Sequence, residues 1–141
     1  MKHVAVGIIM RDGRVLACQR KPTARYPLKW EFPGGKLEQN EAPEEALIRE
    51  LREELAIEVV SMERFFQQEW FYPEGITDPK KDGSFRVHYF LVNGFRGEPV
   101  NKAFEQIRWV TARELQAMDI LEGNRASVDL LARHAEQKQT A

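Results

Sequence analysis

The sequence predicts an α/β fold in which helices cover the faces of a mixed β-sheet, and three features of its 141 residues carry that expectation. Two apolar runs, His3 to Met10 and Arg14 to Gln19, flank Asp12-Gly13, a pair that accepts the positive φ angles of a tight hairpin turn. Pro43 to Leu55 sets Leu47, Ile48, Leu51 and Leu55 on one stripe at about 100° per residue, the period of an amphipathic helix. Two longer runs rich in Val, Phe, Tyr and Trp, Glu58 to Tyr72 and Phe85 to Phe95, read as strands. Hairpin, helix, hairpin, strand and helices in that order fit a layered sandwich, and the length suits one domain, 1–141, with a single core.

After the hairpin, Arg20 and Lys21 precede an irregular stretch holding Pro22 and Pro27, and Leu28 to Pro33 then delivers the chain to Gly34-Gly35, read here as a sharp turn. Pro43 opens the helix at a first-turn position, where its missing N–H costs nothing. Ala42 is the cap and has no side-chain oxygen to offer, while Glu45 is placed to fold back as half of a capping box. In the later strands Val87, Tyr89 and Leu91 alternate with His88, Phe90 and Val92, so both faces are covered and His88 reads as a packed sheet residue rather than a ligand. Pro73 to Gly83 is too long for a tight turn and is expected to be a mobile segment able to gate a substrate. Gln106 to Val110 forms the last strand, Thr111 to Glu114 a capping box opening a second helix, and Val128, Leu131 and Ala135 a final helix expected to fray by Gln137.

Composition removes several classes of function. With 21 Lys and Arg against 22 Asp and Glu, the net charge of −1 gives no general attraction to nucleic acid or to an anionic membrane. Cys18 is the one cysteine, so no intrachain disulfide forms, and its apolar neighbours make it a core residue. The run Val4 to Met10 is short and lacks a cleavage pattern, and no segment approaches the roughly 18 apolar residues of a membrane span, so a cytoplasmic protein is expected.

The chemistry concentrates on the first helix. Residues three and four apart are neighbours there, which groups Glu50, Glu53 and Glu54 on an arc beside the apolar stripe. Their mutual repulsion calls for a cation. Arg49 reaches Glu53 one turn on but leaves net negative charge, and a hard divalent ion with oxygen ligands, Mg²⁺ or Mn²⁺, complements it. The plain alternative is a solvated, Glu-rich helix face. The wider spacing is Gly35, five residues, Glu41, seven residues, then Arg49-Glu50-Leu51-Arg52-Glu53-Glu54-Leu55-Ala56-Ile57. This resembles the Nudix box at every position but one, since Ala56 stands where that family usually has Gly.

The resemblance implies an α/β/α sandwich that hydrolyses nucleoside diphosphates linked to another group. Metal ions would be held by Glu50, Glu53, Glu54 and the Gly34 carbonyl, with Arg49 orienting the glutamates and Arg20 and Lys36 holding phosphates; read alone, the Arg20-Lys21 pair is solvated. Glu105, a few residues before Trp109, would complete the metal shell or act as base, and as an isolated loop acid it would be solvated. The string Trp30 to Lys36 is similar to MutT-type members, the 8-oxo-dGTP diphosphatases, in which this strand, with Phe32, borders the base pocket and an Asn near the last helix, here Asn124, contacts the purine edge. Helix capping is the other use of Asn124. Pro73, sixteen residues after Ile57, points weakly to ADP-ribose hydrolases of the same superfamily instead. A silent binding module would be expected to lack the box glutamates, and an RNA-end enzyme would need a basic track where only Lys80 and Lys81 cluster. The expected partner is a small nucleotide, with no polymeric nucleic acid and no membrane, and the protein a monomer or homodimer.

Overall fold

The structure, a computed structural model, describes residues 1–71 and 83–140, the last three as backbone. Strands β1 (Lys2–Arg11) and β2 (Arg14–Gln19) meet at Asp12-Gly13, whose φ angles of 52° and 76° are those the turn requires. The two strands pair only beside the turn, at Met10 with Val15 and Arg11 with Arg14, and then diverge. From Lys2 to Ile9, β1 runs parallel to β6 (Ser84–Arg96), which is antiparallel to β5 (Glu58–Phe71). β2 pairs with β7 (Gln106–Val110) and with the two-residue β3 (Trp30–Glu31).

The glycines behave differently from the sharp turn read in the sequence. Gly34–Lys36 forms a short strand, β4, against Val4–Val6 of β1. Gly34 has φ 152°, and a Cβ there would lie 2.1 Å from the carbonyl oxygen of Ala5. Glycine is needed for the close approach of two backbones, not for a reversal of the chain.

Helix α1 (Pro43–Leu55) buries Ala46, Leu47, Leu51 and Leu55, while Ile48 is only half-buried. Each buried leucine contributes about 2 kcal/mol. Glu45 accepts from the Ala42 N–H at 2.9 Å, and the helix ends at Ala56 in the left-handed region (φ 56°, ψ 33°). Gly7 lets the helix seat on β1, since a Cβ there would sit 3.2 and 3.3 Å from the Leu47 and Leu51 methyls. Helix α2 (Ala112–Gln116) has the capping box of Thr111 and Glu114. A 3₁₀ turn, Glu122–Asn124, leads into α3 (Arg125–Thr140), which continues past Gln137, where fraying was expected, and buries Val128, Leu131 and Ala132.

Strand alternation produces two cores. Ala5, Ile9, Cys18, Phe90 and Val92 pack under α1, and Val6, Ile8, Tyr89 and Leu91 pack with Phe32 and Leu131 on the α3 side. The result is an α/β/α sandwich. His88 is 8% exposed and stacks on His3, as a packed residue should. Residues 72–82 lie outside the described residues, and with them the expected gate, Pro73 and the Lys80-Lys81 pair. Among the described residues no helix is long and apolar enough to cross a membrane.

Candidate active site

Arg49 organises the acidic edge of α1. Its Nε and Nη2 hold the two oxygens of Glu41 at 2.8 and 2.9 Å, Nη1 reaches Glu50 at 3.0 Å and Glu53 at 3.5 Å, and Nη2 also donates to the Lys36 carbonyl at 3.1 Å. That bidentate grip, helped by the Glu38 N–H, drives the Glu41 carboxyl down to about 2. A helix, a strand and the loop between them are thus fastened at one guanidinium.

Two glycines bring the glutamates against the backbone. A Cβ on Gly35 would fall 2.4 Å from the Glu50 carboxyl carbon, so that carboxylate occupies the space a side chain would take. Gly34 donates its N–H to Glu54 at 3.1 Å. Burial, and after it the negative charge of Glu50, nevertheless raise the Glu54 carboxyl to about 8, the Gly34 hydrogen bond acting in the opposite direction. The site therefore carries more negative charge than its own cations offset. Among the described residues no three acidic, imidazole or thiol side chains stand together at ligand spacing: Glu50 and Glu53 lean to Arg49, Glu54 to Gly34, and Glu53 is 58% exposed.

On the α3 side of the same glycines lies a cavity of about 190 Å³. Val4, Val6, Phe32, Phe85, Val87 and Tyr89 make it apolar, while Arg20, Glu31 and Asn124 place polar groups in its wall and Gly34 forms part of it. Asn124 is 8% exposed, and its Oδ1 accepts from the Phe32 N–H at 3.2 Å, which orients the amide. The neighbouring Gly123 carbonyl is held by Gln68 and, at 3.3 Å, by the Tyr89 hydroxyl.

Arg20 donates through Nε to the Arg25 carbonyl at 2.7 Å and through Nη1 to both oxygens of Glu31 at 3.1 and 3.3 Å. It is a fixed group in the cavity wall rather than a solvated cation. Glu31 escaped the sequence reading, although an acid between the buried aromatics Trp30 and Phe32 was a signal; burial raises its carboxyl and Arg20 opposes that. Gln68 gave no signal, since its role depends on a contact 55 residues away.

Two expected residues stand apart from this arrangement. Lys36 projects into a surface groove with Met1, Lys2 and His3, and it is not among the residues lining the cavity. Glu105 is exposed, its N–H bonded to the Gln19 carbonyl at 2.9 Å, and it is not among the residues lining the cavity.

Comparison with known proteins places the chain in a family. The chain is 32% identical over 132 residues to the 8-oxo-dGTP diphosphatase of Escherichia coli K12, an alignment covering 93% of this chain and 96% of that protein. It is 50% identical over 58 residues to the CTP pyrophosphohydrolase of the same organism, covering 41% and 43%. The solution structure of the E. coli ORF135 protein superposes with a TM-score of 0.80 at 28% identity, covering 97% of this chain and 91% of that one. Residues 1–131 match the NUDIX domain, and the chain belongs to that family of hydrolases.

Proposed function

We propose that the protein hydrolyses 8-oxo-dGTP, or a closely related purine nucleoside triphosphate, to the monophosphate and pyrophosphate, and so clears damaged nucleotides from the cytoplasmic pool as a monomer or homodimer. One observation carries this reading. Gly34 lines the cavity and also donates to Glu54, so a nucleoside in the cavity has its phosphate chain directed over the box carboxylates.

The donor set fits a divalent cation, Mg²⁺ or Mn²⁺. It is all oxygen, it carries excess negative charge, and burial, followed by the Glu50 charge, raises the Glu54 carboxyl to about 8. Glu50, Glu53, Glu54 and the Gly34 carbonyl would hold the ion, with the exposed Glu53 turning inward from Arg49. Such an ion, when bound, neutralises charge developing on the phosphates and lowers the pKa of the attacking water. Arg49 keeps Glu50 turned toward the site, Arg20 is aimed by Glu31 and the Arg25 carbonyl at the incoming phosphates, and the Asn124 Nδ2 donates to an acceptor on the base edge. Glu105 is the loop acid available as a base.

CTP is the second reading, supported by the 58-residue stretch shared with the CTP pyrophosphohydrolase. One experiment separates the two: kcat/KM for 8-oxo-dGTP and CTP with Mg²⁺, in the wild type and in Asn124→Asp. The aspartate preserves the acceptor for the Phe32 N–H but removes the donor to the base. The wild type should prefer 8-oxo-dGTP, and the variant should lose about ten- to a hundredfold on it while changing little on CTP. Preference of the wild type for CTP would overturn the purine assignment.

A further inference from the structure

The cavity floor is built in rows across three strands. Cα partners run Val6, Tyr89, Phe66, then Val4, Val87, Gln68, then Lys2, Phe85, Trp70 from β1 through β6 to β5, and partners in register share a face of the sheet. Val6 and Tyr89 belong to the α3-side core, which puts all three rows on that face. The first row is closed over: Phe66 and Phe32 pack on Tyr89 at ring separations of 5.7 and 6.4 Å. The middle row is flat, two valines beside a glutamine whose amide is turned to the Gly123 carbonyl. The third row is the open rim, where Lys2 Nζ lies 5.8 Å over the Phe85 ring and the half-buried Trp70 indole borders the cavity.

Such a slot, with a valine floor and aromatic walls at both ends, offers hydrogen bonds to an edge but only apolar and π surface to a face. Sugars and phosphates gain little from it. A planar heteroaromatic ring gains on both sides, and a bicyclic ring gains more than a monocyclic one. We propose that Trp70 is the stacking surface for the base and that it gives the site its preference for a purine over a pyrimidine. This rests on the nucleotide reading above and adds the residue that selects among nucleotides.

Intrinsic fluorescence tests it, because the other two tryptophans stand elsewhere. Trp30 is buried beneath Arg108 and Trp109 lies between Arg11 and Phe95; neither lines the cavity. The wild type, Trp70→Phe and Trp70→Ala are titrated with 8-oxo-dGMP and with dCMP, following tryptophan emission and, by calorimetry, Kd. In the wild type 8-oxo-dGMP should quench emission. Trp70→Phe should abolish the quench with Kd held within a few-fold, since phenylalanine still stacks. Trp70→Ala should weaken 8-oxo-dGMP about ten- to a hundredfold and dCMP much less. Quenching that survives in Trp70→Phe, or equal losses for both nucleotides in Trp70→Ala, would overturn the assignment while leaving the hydrolase reading intact. Should Trp70→Ala fail to fold, the quench in Trp70→Phe decides alone. A wild type that binds neither nucleotide would instead bring down the nucleotide reading, and this inference with it.

Discussion

The two faces of the sheet do unlike work with unlike materials. Under α1, charged groups crowd against a core, and Arg49 spends its donors on Glu41, Glu50, Glu53 and the Lys36 carbonyl. Over the other face, apolar and aromatic side chains enclose a cavity in which polar groups are few and already oriented. On the proposed reading, the acidic face changes its charge state when a cation and phosphates arrive. The aromatic face is built to stay as it is. Gly34 is the shared boundary, which makes the division between chemistry and recognition testable one face at a time.

The largest expected effect is on the acidic face. Glu53→Gln should lower kcat at least about a hundredfold, because one anionic ligand and its share of transition-state charge stabilisation are gone. If the faces are separable, calorimetric Kd for the product monophosphate should stay near the wild-type value. Near-normal turnover at saturating Mg²⁺ would remove Glu53 from the metal site, and a large loss of product binding would break the division itself.

A second, intermediate effect concerns pH in the absence of divalent ions. Glu54 is raised from 4.5 to about 8, so between those values the folded protein holds a proton that the unfolded chain has released. Stability is then highest below about 4.5 as far as this group is concerned, and is lost as pH rises through about 8. Melting temperatures measured from pH 5 to 8 should therefore fall for this reason in the wild type and not in Glu54→Gln. His88 works in the other direction, its burial keeping the ring neutral, and the Gln variant leaves that contribution unchanged. Identical slopes in the two proteins would show that the α1 face does not hold this proton.

The smallest effect sharpens the comparison by touching neither face. Ala56 ends α1 at φ 56°, where a side chain costs about 1 kcal/mol relative to glycine. Chemical denaturation of Ala56→Gly should show a gain of up to about that size, with kcat/KM unchanged. A less stable variant would mean that the alanine methyl makes a contact worth more than the strain.

The contrast between faces also explains what the sequence disclosed. The acidic face comes from Gly34 to Glu54, a span short enough for fixed spacing to show, and Ala56 could be placed in the left-handed region from the box alone. The hairpin, the α1 stripe, the long strands and the Thr111 cap were legible because each depends on local periodicity or a local turn. The Gly34-Gly35 strand was not, since its reason is the Ala5 carbonyl across the sheet. The aromatic face was legible only in pieces: Phe32 and Asn124 were named separately, but the bond between them spans 92 residues, and nothing local marks Glu31 as the partner of Arg20 or Gln68 as that of Gly123.

The parallel pairing of β1 with β6 has a consequence for how the chain comes together. His3 lies opposite Arg86 and Ile9 opposite Val92, so β1 has most of its strand partners more than eighty residues later in the chain. The β1–β2 turn and α1 can form early, but closing that gap carries the loop entropy of nearly the whole intervening chain. Until residues 84–92 are synthesised, the apolar stretch Val4 to Ile9 lacks its β6 neighbour, with β4 pairing only at Val4–Val6, and the open edge is a site for association.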